Sequence, residues 1–523
     1  MEKKELDDEL LRQSREIKKR KEQMRKRRQK EKIIKMVGCT AVLAAIVGIT
    51  TFATNKLGLK DGKKKPETES SSMAVTEKET ESVNALALQE ANLLAAGYDY
   101  DAAIEKLQAV NGYAQDAELT AAIAEYTSAK AGCVAVDVDS VPHIVFQSLL
   151  NEPAVSLNAS VVGDNTASTL DFWRTTVDEF DGIVQQMYDN GYVIVRMRDL
   201  VVESKDASGK VTFTRNESLM LPQGKKAVVI SVDNLNYCHA YEKAGFPDKL
   251  VLDANGDVKC HYVKTDGSEA VGDFDVVPRL NTFLEQHPDG AYHGARGMIG
   301  LSGYNGVFGY RTDTAYKTRE NLSTEQSAWL AAHADFDWDK EVAQAKKIAE
   351  ALKASGWEFA SRTWGDVNVS ESSLESLQTD NEKWVNTVQN IVGETDTIVF
   401  SGGNDIGDWH DYTTDNAKFS FYKSKGYNFF CNVDSSVPFW VQIRESYVRQ
   451  GRISMGGYVL ERASQGQTNV VNDLFDIKQV FNSDRTAAAA SSSGGSAVGQ
   501  SETGETQAGE TQAGESETQE TAL

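Results

Sequence analysis

Among 523 residues there are only five cysteines and seven histidines, so the side chains that most often build metal and redox centres are scarce. Cys39 lies in an uncharged run. Cys133, Cys238, Cys260 and Cys431 match neither a zinc knuckle nor a Cys-x-x-Cys pair. Free buried thiols, or one adventitious bridge, are expected of them. His143, His239, His261, His287, His293 and His333 show no paired ligand spacing. Of these, only His239, close after Asp233, merits attention. Basic residues are also outnumbered: 55 Lys and Arg against 77 Asp and Glu give a net charge of −22. The first 36 residues carry +7 of their own, which leaves −29 on the remainder. A nucleic-acid-binding domain needs positive charge on its folded surface, so no nucleic-acid partner is expected.

What is present begins with that asymmetry. Residues 1–35 form a basic segment, and residues 36–55, "MVGCTAVLAAIVGITTFATN", contain no charge over about the length that spans a bilayer core. The Lys/Arg excess predicts a cytoplasmic N-terminus and a single-pass membrane helix with the main domain extracellular. A cleaved signal peptide is the rival, but the charged lead is long and no small-x-small triplet follows. Residues 56–82 lack apolar periodicity and predict a flexible linker, and residues 485–523, ending "GETQAGETQAGESETQETAL", predict a disordered acidic tail. Residues 83–133 show Ala and Leu at helical spacing around "GYDYDAA", a tetratricopeptide-like helical hairpin. One such unit buries little alone, so packing on the next domain is expected.

Residues 137–484 form the main domain. Three helical patterns end in Gly-aromatic and run into apolar strands, at Gly191, Gly356 and Gly426. A capping box, Thr176 to Glu179, opens the first helix. Further strands are "HIVFQSL", "KAVVISVD" and "DTIVFSGG". Alternating helices and strands predict an α/β fold with a mainly parallel sheet or barrel, whose working residues sit at the C-terminal ends of strands. Those ends carry Gln147-Ser148, Asp233-Asn234, Arg362 to Asp366, and Ser401 to Asp405.

Residues 138–460 resemble the polysaccharide deacetylase (NodB-homology) family, in its membrane-anchored Gram-positive subgroup. Gln147-Ser148 stands where the family has His-Ser. "SVDNL" at 231–235 stands for its Thr-Phe-Asp-Asp-Gly, and "RTWGD" at 362–366 for its His-Ser/Thr-x-x-His. "GYNGVFGYRTD" at 303–313 also fits the family. The resemblance implies a deformed (β/α) barrel, a divalent metal such as zinc, and a cell-wall glycan or peptidoglycan ligand. It places the general base on Asp233 and the three metal ligands on Asn234, Arg362 and Asp366. Gln147, Tyr304, Tyr310, Arg311 and Trp364 are the candidate substrate contacts; the three aromatics are expected near the rim, where they could stack on sugar rings, with core packing the alternative for each. The family's late catalytic histidine has no counterpart in "SMGGYVLER" at 454–462.

Every metal position is therefore changed. Amide oxygen is a weak ligand and guanidinium is none. A +1 charge about 4 Å from a +2 ion costs on the order of 8 kcal/mol at an effective dielectric of 20. That rivals the roughly 10–16 kcal/mol of a complete zinc site. No bound cofactor is expected, and Arg362 is expected to replace the lost cation between Asp233 and Asp366. The expected function is a catalytically degenerate, glycan-binding or scaffolding domain; an active carbohydrate N-deacetylase with an atypical site is the alternative. A glycosidase built on Asp233 and Asp366 needs one carboxyl kept protonated, which a neighbouring guanidinium opposes. Asp405, Asp408, His410 and Asp411 lack the order of a calcium loop and are expected to be a solvated loop.

Overall fold

The computed structural model describes residues 69–482 and Arg485. The chain divides between Thr80 and Glu81 into two compact units, and every strand among the described residues belongs to the second. The expected basic segment, the span at 36–55 and the tail beyond Arg485 lie outside the described residues. No helix among the described residues is long and apolar enough to cross a membrane.

Three helices come first: α1 (Glu69–Ala96), α2 (Tyr100–Gln108) and α3 (Ala117–Ala131). Helix α1 starts inside the stretch expected to be a linker, because no glycine or proline lies between Pro66 and Gly97 to stop it. Asp99 and Asp116 cap α2 and α3 through their carboxylates. Ala91, Ala103, Leu107, Leu119 and Tyr126 form the small core between the helices. The bundle docks on the larger domain, as expected: His293 N donates to Gly97 O at 2.8 Å and the Tyr98 hydroxyl to Asp289 O at 2.7 Å.

Seven strands then close a parallel barrel in chain order. They are β1 (His143–Gln147), β2 (Lys226–Asp233), β3 (Gly297–Leu301), β4 (Trp357–Ser361), β5 (Thr397–Val399), β6 (Phe429–Val433) and β7 (Tyr447–Ser454). Strand β7 returns to β1 through Ile453 opposite Ile144, and every neighbouring pair is parallel. The strand after Gly191, Tyr192–Ile194, stays outside the ring and pairs with the first half of β2, whose second half pairs with β3. Gly191, Gly356 and Gly426 take the left-handed conformation at φ 82°, 101° and 93°. Outward residues such as Ile144, Phe146, Ile230, Val232, Ile299 and Phe359 pack beneath the helices. Inward residues Val229, Met298, Ala360, Val399, Phe429 and Val448 fill the lower barrel.

Two boundaries differ from expectation. "SMGGYVLER" is not the last strand: β7 ends at Ser454, and Gly457–Ser464 is a helix burying Val459, Leu460 and Ala463. Those three recur at helical, not alternating, spacing. Arg485, assigned to the tail, is 2 % exposed and belongs to the fold. Its Nε and Nη2 donate to Glu179 Oε1 and Oε2 at 3.1 and 2.7 Å, beside the capping box that Glu179 completes with Thr176. Arg485→Met strands the fully buried Glu179 carboxylate and is expected to cost about 3–5 kcal/mol in urea denaturation. Asp171→Asn, removing the more exposed partner of Arg485, should cost less than about 1 kcal/mol.

Candidate functional site

Strand β2 delivers Asp233, and β4 delivers Arg362, at the C-terminal mouth of the barrel. Beyond each strand the backbone turns through left-handed residues, Asn234 at φ 58°, Thr363 at φ 62° and Asp366 at φ 55°. Such conformations cost of order 1–3 kcal/mol each and persist only where the surroundings impose them. Asp380 imposes one of these turns, accepting Trp364 N and Gly365 N at 2.6 and 2.8 Å. The turns bring the Asn234 amide to Asp366 Oδ2 at 3.1 Å.

The Arg362 guanidinium lies between the two carboxylates. Its Nη1 is 2.9 Å from Asp233 Oδ2, and its Nη2 is 3.1 Å from Asp366 Oδ2. A second arginine, Arg452 of β7, approaches Asp233 from the other side, Nη1 to Oδ1 at 2.7 Å. Arg452 Nη2 also donates to Phe400 O at 3.0 Å. Both oxygens of Asp233, itself 2 % exposed, are thus occupied by guanidinium N–H groups. Gly300 of β3 makes room for this arrangement: a Cβ there would lie 2.9 Å from Asp233 Oδ1 and 2.6 Å from Val399 Cγ2.

One layer deeper, Arg452 Nη1 reaches Ser231 Oγ at 3.3 Å, and Ser231 Oγ lies 2.9 Å from His143 Nε2. Gln450 donates its amide to Val141 O at 3.0 Å, so its Oε1, 3.1 Å away, accepts from His143 Nδ1–H. His143 Nε2 is then the acceptor for the Ser231 hydroxyl. Burial first, and the Arg452 charge second, push the His143 imidazole well below its ordinary range. It is a neutral link in the barrel core.

A cavity of about 550 Å³ opens beside this network. Ser148, Asn165, Asn234, Asn236, Ser302 and Tyr304 line it, with Arg174, Tyr241 and Asp366. Ser302 Oγ donates to Asn234 Oδ1 at 3.1 Å. Asn236 Oδ1 and Asp366 Oδ1 have no hydrogen-bond donor among the described residues. Asp233 and Arg362 lie beneath the wall and do not line it.

The residues expected to contact substrate separate. Tyr304 lines the cavity. Gln147 sits opposite Asp233 in the β1–β2 register, and its neighbour Ser148 reaches the cavity instead. Trp364 packs against Gly303, where a Cβ would meet its ring at 2.2 Å, and Lys383 Nζ lies 4.5 Å from the ring centroid. Its ring is therefore committed to packing. Tyr310 is core, its hydroxyl donating to Leu250 O at 2.9 Å. Arg311 is buried, bonded to Tyr237 O at 2.9 Å and Glu242 at 3.3 Å, and faces a second cavity. The loop "GYNGVFGYRTD" folds inward at that point, which its aromatic composition did not distinguish from a rim. His239 bonds Glu242 and Tyr316 at 2.6 and 2.7 Å and does not reach Asp233's network. Asp405 pairs with Arg449 at 2.6 Å and Asp411 with Arg444 at 2.7 Å, so the conceivable calcium loop is tied to arginines. All four cysteines among the described residues are free.

Two arginines of the site were missed. Arg452 lies in "YVRQGRIS", whose inward positions Val448, Gln450, Arg452 and Ser454 do alternate, but with polar groups facing inward. Arg174 lies just before the Thr176 capping box, and nothing local in the sequence marks it.

The donor set does not fit a divalent ion. The three positions expected to ligate a metal, Asn234, Arg362 and Asp366, hold an amide, a guanidinium and one carboxylate already bonded to both. Among the described residues no three His, Cys, Asp or Glu side chains gather where they could hold a metal.

No family model matches the chain, and no curated protein matches it. Among solved structures, the Streptococcus pyogenes deacetylase PplD in complex with acetate is similar at 10% identity and a TM-score of 0.29. The match covers 63% of this chain and 98% of that one.

Arg452→Met leaves Asp233 with one partner in a fully buried setting and is expected to destabilise the protein by about 3–5 kcal/mol. Arg362→Met should cost less, because Asp233 keeps Arg452 and Asp366 keeps the Asn234 amide. Urea titrations showing the reverse order would contradict this hierarchy. The pH dependence has a definite sign. His143 is depressed below its unfolded value of 6.5, so its contribution is fully present above pH 6.5 and is lost as pH falls below it. The slope approaches about 1.4 kcal/mol per pH unit in that window. The urea midpoint of wild type should fall between pH 7 and 5 more steeply than that of His143→Gln.

Proposed function

We propose that the protein is a membrane-anchored, wall-facing domain of the polysaccharide deacetylase type that binds cell-wall glycan without metal-dependent hydrolysis. The single observation behind this proposal is the Arg362 guanidinium 2.9 Å from Asp233 and 3.1 Å from Asp366. Hydrolysis of an N-acetyl group by the family's chemistry needs a Lewis acid and a carboxylate free to take a proton from water. Here a fixed cation stands among the carboxylates, and both Asp233 oxygens are held. The barrel and its cavity remain. Amide and hydroxyl groups of Asn165, Asn234, Asn236, Ser148 and Ser302, with the rings of Tyr241 and Tyr304, offer the polar contacts and apolar faces that a hydroxyl-rich sugar needs. The uncharged run at 36–55 and the basic residues before it support an anchor with this domain outside.

Elemental analysis of the purified full-length chain after incubation with zinc, cobalt or nickel should find well below 0.1 equivalent of metal. Metal near one equivalent, or acetate released from chitooligosaccharide, would establish the active N-deacetylase instead. Combined Asn234→Asp, Arg362→His and Asp366→His replacement is expected to restore metal uptake. Retention of the chain on insoluble peptidoglycan tests glycan binding, and a chain left wholly in the supernatant would favour a protein-scaffold role.

A further inference from the structure

Among the described residues six arginines are almost wholly buried: Arg174, Arg311, Arg362, Arg449, Arg452 and Arg485. Five of them have a carboxylate partner: Glu242, Asp233 with Asp366, Asp405, Asp233 and Glu179, in that order. Arg174, 4 % exposed, has none among the described residues. Its guanidinium makes one long hydrogen bond, Nη1 to Ser148 O at 3.4 Å. Its Cζ lies 5.0 Å from the Tyr241 ring centroid and 5.4 Å from that of Phe246. Arg174 and both rings line the cavity beside Asp366.

The placement is built, not incidental. Arg174 N donates to Leu170 O at 2.9 Å, and Arg174 O accepts from Gly457 N at 3.2 Å and from Arg485 Nη2 at 2.8 Å. Among the described residues the only carboxylate on the cavity wall is Asp366, already bonded to Arg362 and Asn234. Burial pushes the nearby Cys238 thiol up, so it supplies no counter-charge. Guanidinium stays charged whatever its surroundings, and a buried, unpaired charge costs several kcal/mol. Its planar fork matches a carboxylate or phosphate bidentately.

We infer that Arg174 is an anion-recognition residue, and that the cavity's ligand is a sugar bearing an acidic substituent, a carboxylate or a phosphate, rather than a neutral one. The sugar part rests on the glycan proposal above; the anionic part rests on Arg174 alone. Calorimetric titration of the full-length chain with N-acetylglucosamine, N-acetylmuramic acid, N-acetylglucosamine 6-phosphate, lactate and inorganic phosphate tests both. At least one acidic sugar should bind tenfold or more tightly than N-acetylglucosamine, and the tighter of the two identifies carboxylate or phosphate. Arg174→Gln should bring the acidic sugar down to the level of the neutral one, and Arg174→Lys should retain part of the difference. Because the side chain packs on two rings, thermal melts check that each variant folds, and the wild-type comparison decides even where Arg174→Gln does not. Equal affinity for neutral and acidic sugars, or a preference that survives in a folded Arg174→Gln, overturns the inference and leaves glycan binding standing. Binding of lactate or phosphate but of no sugar supports the anion site and removes the glycan. Binding of none of the five overturns both.

Discussion

Asp233, at the end of β2, is almost wholly buried, and two arginines from strands on either side of it, β4 and β7, hold it there. Removing a carboxylate from water costs several kcal/mol unless its oxygens are fully bonded. Arg362 and Arg452 take one oxygen each, and Arg362 extends to Asp366, so two carboxylates and two guanidiniums balance to zero charge. Gly300 supplies the space, and Ser231, His143 and Gln450 carry the hydrogen-bond chain through the neighbouring strands β2 and β1 back to β7. The upper barrel is thus a sealed polar layer over an apolar one.

That seal separates structure from ligand contact. A general base must reach the proton it abstracts, and Asp233 has no unbonded oxygen facing the cavity. The cavity wall instead carries amides, hydroxyls, aromatic rings, Arg174 and the Asp366 carboxylate that Arg362 already pairs. Charge is neutralised at the floor and left unbalanced at the wall. The first condition stabilises the fold, and the second calls for a ligand.

The sequence conveyed much of the barrel because five of its seven strands are apolar runs of ordinary composition. "GMIGL" escaped notice because its glycines weaken any strand pattern, and at one of them, Gly300, a Cβ would collide with both Asp233 and Val399. "YVRQGRIS" escaped because its inward side chains are polar, contrary to the rule that barrel interiors are apolar. Tyr310, Arg311 and Trp364 were misplaced for a shared reason: aromatic and arginine side chains serve equally in cores and at rims, and local sequence does not record which neighbour covers them. Arg485 looked like the first residue of a polar tail because its partner, Glu179, is some three hundred positions away.

Sequence by itself determined the alternation of helix and strand, the glycine caps, the capping box, and the presence of Asp233-Asn234 and Arg362 to Asp366 at the ends of two strands. These follow from local periodicity, backbone conformation and residue chemistry. Only the tertiary structure decided that Arg362 bridges both carboxylates, that Arg452 joins it from the last strand, and that Arg174 faces the cavity without a carboxylate partner among the described residues. Each depends on distances between segments separated by dozens to hundreds of residues. Barrel closure sets those distances, and no window of sequence contains them.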